Sequence, residues 1–289
     1  MTDSNLTNNG APHTPAPHVA PIDQDIATPA VAVRGLHKRF GDQVAVDNLS
    51  LDIPRGSFYG VVGPNGAGKT TAISMATGLL RPDSGAAFIA GHPVWLPNKN
   101  GALPIAGPNR AEDAKRAYGL LADGVPVFDR LSATEYLSYL GALRGLDSGI
   151  VAQRSTSLLE ALDLASAGTK FIADFSAGMT KKILLAGALL HRPEVLILDE
   201  PLEAVDPVSA ETIKQILRSY VHGGGTVVLS SHVMEVVEGL CSHVAIIAEG
   251  KVRASGTLEE VRTSSSLTQT FVDLVGGRAL DESALGWLS

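Results

Sequence analysis

The stretch Gly63-Pro64-Asn65-Gly66-Ala67-Gly68-Lys69-Thr70-Thr71 decides how the rest of this chain is read. It fits the pattern G-x-x-x-x-G-K-[ST], a glycine-rich loop that wraps a phosphate chain. The apolar run Phe58-Tyr59-Gly60-Val61-Val62 precedes it, and the helix-compatible segment Ala72-Ile73-Ser74-Met75-Ala76 comes after it. Strand, loop and helix in that order are the context the motif requires. The glycines let successive backbone N–H groups converge on an anion, and a helix beginning near Lys69 adds the positive end of its dipole. Lys69 reaches the β- and γ-phosphates, and the Thr70 hydroxyl is placed to ligand Mg²⁺. A glycine-rich turn that binds nothing would have no reason to fill every position of the pattern. The residues imply binding of a nucleoside triphosphate.

Composition narrows the surroundings. Hydrophobic residues make up 45 % and charged residues 18 % of the chain, ordinary for a soluble globular protein. The longest apolar run, Ile183 to Leu190, falls far short of the roughly 20 residues that span a bilayer. No Lys or Arg precedes Arg34, so the N-terminal region lacks the charged start of a secretory signal. The single cysteine, Cys241, excludes an intramolecular disulfide framework and reads as a small buried hydrophobe on a helix. A net charge of −7 argues against a nucleic-acid partner, which favours a basic footprint. The expectation is a cytoplasmic protein.

Residues 1–29 are rich in Asn, Thr, Ala and Pro without apolar periodicity, and read as a disordered tail. From Val31 the pattern is β-like, with Val31–Val33 and Gln43–Val46 as strands and Leu49, Leu51 and Ile53 alternating with polar residues. Residues 92–110, which include Pro93, Pro97, Pro104 and Pro108, show no period and read as an exposed loop. Helical signals dominate from about Ser132 to Leu190, and the helical insert is expected over about 125–190. They include the capping-box pattern Ser132-Ala133-Thr134-Glu135 and amphipathic stretches at Tyr136–Leu143 and Val151–Leu164. The runs Val195–Leu198, Val227–Leu229 and Val244–Ile247 have the character of strands buried on both faces. The organisation expected is a tail over 1–29, one α/β domain over 30–262 with its helical insert, and a short tail over 263–289.

The strand ending at Leu198 delivers Asp199 and Glu200 at its carboxyl end, where ligands sit in open α/β sheets. Asp199 there can complete a Mg²⁺ site begun by Thr70, and Glu200 can accept a proton from a water attacking the γ-phosphate. The plain alternative is a solvated acidic pair opening a turn at Pro201. His232, just past the strand Thr226–Ser230, could polarise that water or touch the γ-phosphate; a histidine after a strand is also an ordinary surface residue.

Phe175-Ser176-Ala177-Gly178-Met179, upstream of a helix-like run leading to Asp199-Glu200, resembles the signature of ATP-binding-cassette (ABC) ATPases. The order Phe40, Gly63–Thr71, Asp123, Ser176–Met179, Asp199-Glu200, Asp206 and His232 is similar to theirs, and the resemblance spans residues 31–262. It implies a P-loop NTPase core with an antiparallel β subdomain and an inserted helical subdomain. It also implies ATP and Mg²⁺ as ligands. By the same resemblance, Phe40 matches the aromatic that stacks on adenine, unless it is merely a hairpin aromatic. Asp123 matches the linker position that touches Mg²⁺, unless Asp123-Gly124 is only a solvated turn. Ser176 and Gly178 match residues that bind the γ-phosphate held by an opposite subunit. Asp206 matches an aspartate that communicates across the dimer, and His232 matches the switch histidine. Lys69, Glu200 and His232 then carry catalysis, residues Gly63 to Thr71 cradle nucleotide, and Thr70, Asp123 and Asp199 hold the metal.

Three positions depart from that family's pattern. Ala177 and Met179 stand where glycine and glutamine are usual, and Asp123 stands where Gln or Glu is usual. The cluster from Ser176 to Lys182 together with Glu203–Pro207 is most similar to cassettes of bacterial ABC-2-type exporters. The resemblance implies an ATPase subunit that works as a homodimer at the inner face of the membrane, on permease subunits of separate chains. The alternative is a non-transport ABC ATPase of translation or DNA. Such proteins carry two cassettes or a long coiled coil, whereas the segment between Lys69 and Ser176 has no sustained heptads.

Overall fold

The computed structural model describes residues 28–98, 102–122, 127–263 and 266–276. The phosphate loop stands at the meeting of two sheets. One is antiparallel and built from β1 (Val31–Phe40), β2 (Gln43–Ile53), β4 (Ser84–Ile89), β5 (His92–Leu96) and β6 (Ile105–Ala106), in the order β2-β1-β4-β5-β6. The other contains β3 (Phe58–Val62), β7 (Tyr118–Leu121), β8 (Val195–Asp199), β9 (Thr226–Ser231), β10 (His243–Ala248) and β11 (Lys251–Thr257), in the order β11-β10-β3-β9-β8-β7. Its strands run parallel except β11, which pairs antiparallel with β10.

Strands β3, β8 and β9 are buried at every position, as their unbroken apolar runs predict. The pleat sends β8's side chains alternately to two cores. Leu196 and Leu198 join Leu137, Leu185 and Leu229 on the helical side. Val195 and Ile197 join Val33, Leu36, Val61 and Met75 between the two sheets. Period-two alternation within an all-apolar strand is what a sheet covered on both faces requires.

Helix α1 (Lys69–Ala76) lies between the sheets. Two buried aromatics fasten its carboxyl end: Trp95 Nε1 donates to the Met75 carbonyl at 2.8 Å, and the Tyr118 hydroxyl donates to the Thr77 carbonyl at 2.6 Å. Helix α2 (Pro108–Ala117) leads into β7. Between β7 and β8 run α3 (Ala133–Leu143), α4 (Ser148–Ala161) and α5 (Ala177–Leu189), with α3 packed on both others. Helices α6 (Pro207–His222), α7 (Met234–Leu240), α8 (Leu258–Val261) and α9 (Leu267–Val275) are the remaining α-helices among the described residues. The capping box expected at Ser132 is present. The Ser132 side chain accepts from Glu135 N, and the Glu135 carboxylate accepts from Ser132 N at 2.8 Å.

Three sequence expectations change. Residues 92–110 are not one exposed loop. They supply β5, β6 and the first turn of α2, with Val94 and Trp95 buried. Prolines hid these elements: Pro93 is accommodated at a register shift beside β4, and Pro108 takes the first helical turn, where a missing N–H costs nothing. The strand signals at 31–33 and 43–46 extend into ten- and eleven-residue strands, because register shifts absorb their irregular pattern. Cys241 is buried as expected, but one residue past α7, and burial pushes its thiol up to about 12. Asp123 and the N-terminal tail up to residue 27 lie outside the described residues. The apolar stretch Phe271–Val275 forms the end of α9, which packs against α7.

Candidate nucleotide-binding site

The chain leaves β3 at Val62 and enters a loop pressed against its own framework. A Cβ on Gly63 would lie 2.2 Å from the Ile247 carbonyl oxygen. One on Gly68, whose φ is 98°, would lie 2.4 Å from the Ala45 carbonyl oxygen. Only glycine fits at either end, so the loop's path is set by backbone contact with β2 and β10. Ala67 N donates to the Pro64 carbonyl at 3.1 Å, and Gly250 N donates to the Ala67 carbonyl at 3.0 Å. The Lys69 side chain is buried. Its ammonium donates to the Gly63 carbonyl at 2.8 Å and the Pro64 carbonyl at 3.3 Å, curling back along the loop.

In front of this loop opens a cleft of about 480 Å³, within the range of small-molecule sites. Residues Asn65 to Thr71 form one wall, Phe40, Gln43 and Ala45 another, and Glu200, Glu203 and His232 the third. Phe40 is half exposed at the end of β1, and the Lys38 ammonium sits 5.6 Å from its ring centroid. Lys38 is anchored in turn to Asp83 at 2.8 Å.

Asp199 and Glu200 stand at the carboxyl end of β8, side by side in sequence and opposite in environment. Asp199 is 1 % exposed. Its Oδ1 accepts from the Ser230 hydroxyl on β9, while Oδ2 is buried without a protein partner. A buried carboxylate oxygen left unmatched is costly, and a cation or its water shell would satisfy it. The residues present therefore fit a Mg²⁺ ion. Glu200 points into the cleft. Its Oε1 lies 3.1 Å from His232 Nδ1, its N–H donates to Ser230 Oγ at 3.0 Å, and its φ is 47°. Lys181 Nζ, from α5, donates to the Glu200 carbonyl at 3.1 Å.

Ser176, Gly178 and Asp206 form a separate group, none of them lining the cleft. Ser176 is the N-cap of α5 and accepts from Met179 N at 3.3 Å. Asp206 is the N-cap of α6, taking hydrogen bonds from Val208 N and Ser209 N. Hydrogen bonding from Ser209 holds its carboxyl below the usual carboxylate range. Space stands open in front of Gly178: the nearest atoms to an added Cβ are the Ala204 carbonyl oxygen and Asp206 Oδ2, both at 4.0 Å.

The structure thus brings Phe40, the loop, Glu200 and His232 to one cleft and leaves Ser176, Gly178 and Asp206 outside it. Three cleft residues, Gln43, Ala45 and Glu203, were not singled out as site residues from sequence. Gln43 pairs with Phe40 across the hairpin, a relation the intervening Gly41-Asp42 turn could have signalled. Glu203 reaches the cleft because Glu203 N turns back to the Glu200 carbonyl at 3.2 Å. No local pattern announces that.

Comparison with known proteins agrees with this geometry. The family model described as ABC transporter matches residues 46–203. Over 240 residues the chain is 35 % identical to a daunorubicin resistance ATP-binding protein of Streptomyces coeruleorubidus, covering 83 % of this chain and 72 % of that one. It is 37 % identical over 238 residues to a Nod factor export ATP-binding protein of Cupriavidus metallidurans, covering 81 % and 73 %. Among solved structures, an ATP-binding subunit of an ABC transporter superposes with a TM-score of 0.75 at 26 % identity, over 85 % of this chain and 99 % of that one. A dimeric ATP-binding cassette with ADP and Pi shares the fold at 21 % identity, with a TM-score of 0.69 over 79 % and 98 %. The P-loop core, the antiparallel strands and the helical segment between β7 and β8 are those of an ABC ATPase, and the chain belongs to the ABC transporter family as an ATP-binding subunit.

Proposed function

We propose that the chain hydrolyses ATP to drive a separate membrane permease, as the cassette of an ABC-2-type exporter. One observation carries the catalytic part: a single cleft presents the phosphate loop, the exposed aromatic ring of Phe40, and a carboxylate paired with a histidine at Glu200 and His232. Residues Gly63 to Thr71 bind the phosphates, and Lys69 exchanges its two loop carbonyls for β- and γ-oxygens. Thr70 and Asp199 Oδ2 would hold Mg²⁺, with Asp123, which lies outside the described residues, as the third ligand that the resemblance implies. Bound there, the ion would supply neutralisation of the phosphate charge. Glu200 accepts the proton of the attacking water, and His232 orients its carboxylate.

The second half of the site comes from another copy of the chain. Ser176 and Gly178 lie outside the cleft with open space before them. The helix N-terminus at Ser176 suits an anion delivered from a partner. Asp206 stands beside Gly178, placed to report that engagement. Exporter character is supported by relatives whose names carry Nod factor export and daunorubicin resistance. No helix among the described residues is long and apolar enough to cross a membrane. The exposed Phe128 and Tyr139, packed edge to face at 5.1 Å, give the helical segment an apolar surface for a permease at the cytoplasmic face. The domain arrangement proposed is an ATPase unit over 30–262, preceded by the segment 1–29 and followed by the short segment 263–289, whose helix α9 packs back on α7.

Glu200→Gln tests the scheme. It should bind ATP normally and lose hydrolysis by orders of magnitude, because an amide takes no proton. Trapped ATP should then hold two chains together, so size-exclusion chromatography with ATP and Mg²⁺ should show a dimer. A monomer with ATP bound would sink the two-chain site. Co-purification with a polytopic membrane protein tests the transport part.

A further inference from the structure

Glu200 holds a backbone conformation that glutamate seldom takes, with φ of 47°. Such a conformation persists only where surrounding groups over-determine it. Two side chains from distant elements do so here, one at each end of the residue. Ser230 Oγ, on β9, accepts the Glu200 N–H at 3.0 Å. Lys181 Nζ, on α5, donates to the Glu200 carbonyl at 3.1 Å. The residue whose carboxylate faces the cleft is therefore gripped through its backbone by two different layers of the fold.

The same Ser230 hydroxyl has a second task. Its one proton goes to Asp199 Oδ1, since an ionised carboxylate only accepts, and its lone pair takes the Glu200 amide. With Oδ1 engaged, Oδ2 is the oxygen left unmatched and available to a cation. Strand register makes this possible, because Asp199 pairs directly with Ser230 across β8 and β9. Ser230 is wholly buried, where alanine would pack as well, so the hydroxyl has no role in covering the core. The neighbouring Ser231 does a different job: its Oγ accepts Val233 N at 3.0 Å and closes the turn that carries His232.

We propose that Ser230 and Lys181 are positioning residues for hydrolysis. Ser230 aims Asp199 Oδ2 at the metal while fixing the backbone of Glu200, and Lys181 fixes the other side of Glu200 from the helix that begins at the signature. The proposal rests on the assignment of Asp199 to Mg²⁺ and Glu200 to proton transfer.

The test uses the full chain. Ser230→Ala removes one oxygen and should lower kcat roughly 10- to 100-fold, with the KM for ATP within about threefold of native. Lys181→Met keeps the aliphatic stem and should lower kcat about 3- to 10-fold, the worth of one hydrogen bond. A readout independent of turnover is Mg²⁺-dependent ATP binding, measured by equilibrium dialysis in a Glu200→Gln background. Adding Ser230→Ala there should raise the Mg²⁺ concentration needed for half-maximal binding by about threefold or more. Native kcat in a folded Ser230→Ala protein, or a loss confined to KM, overturns the proposal. If Ser230→Ala does not fold, Lys181→Met decides alone, and native turnover overturns it. A Glu200→Gln protein that hydrolyses ATP at the native rate removes the base assignment and this proposal together. An inactive Glu200→Gln beside a native-like Ser230→Ala removes this proposal only.

Discussion

His232 Nδ1 and Glu200 Oε1 lie 3.1 Å apart although 32 positions separate them in the chain. The carboxylate is largely enclosed while the imidazole is nearly half exposed, so the ring forms a rim over the acid. Parallel pairing of β8 with β9 creates this juxtaposition, since both side chains leave the carboxyl ends of adjacent strands. His232→Ala removes the orienting contact and leaves the carboxylate in place. We expect kcat to fall about 10- to 100-fold with ATP binding kept. Steady-state kinetics with a parallel nucleotide-binding titration checks this, and native turnover would leave the contact without a catalytic role.

Lys69→Ala should abolish hydrolysis and weaken ATP binding. Its ammonium is the only side-chain charge in residues 63–71, and on the proposed reading it would meet β- and γ-oxygens that the backbone amides do not balance alone. Phosphate-release assays together with ATP titration measure both effects. Turnover near the native rate would refute the phosphate-loop assignment.

Ser176→Arg should act in trans. Ser176 caps α5 outside its own cleft, so on the proposed two-chain site a bulky cation there would obstruct the partner's phosphate and spare its own loop. Mixing this variant with Lys69→Ala leaves one site of the heterodimer free of both changes. Partial recovery of ATPase activity is expected once heterodimers are shown by tag-specific capture. Complete inactivity of those heterodimers would contradict a site shared between chains.

Ser132→Ala removes the side-chain half of the reciprocal cap of α3 and should cost about 1 kcal/mol, read by denaturant unfolding. The Ser132 N–H holds the Glu135 carboxyl below its ordinary range. A lowered folded pKa means that the contribution of Glu135 is present above the unfolded pKa and lost as pH falls through the folded value. Glu135→Gln should therefore be less stable than the native protein near neutral pH and converge on it in acid. A stability difference that does not change with pH would show that the carboxylate takes no part in the cap.

The amino-acid sequence alone determined whatever depends on neighbouring residues. The phosphate loop was legible because its glycines, lysine and threonine act through a contiguous backbone path, and Ser132 with Glu135 because a cap spans one helical turn. The buried strands at Phe58, Val195 and Thr226 were legible because a strand covered on both faces admits only apolar side chains. Tertiary structure alone decided what depends on register and approach. Trp95 and Tyr118 fasten the end of α1 from elements that prolines disguised or that lie far along the chain. Gln43 and Glu203 enter the cleft through a hairpin and a turn, and Ser230 meets both Asp199 and Glu200 because β9 lies beside β8 in one particular register. Side-chain direction repeats every two residues along a strand, so a slip of one position would turn Ser230 away from Asp199. No local pattern carries that information. It exists only once the sheet has closed.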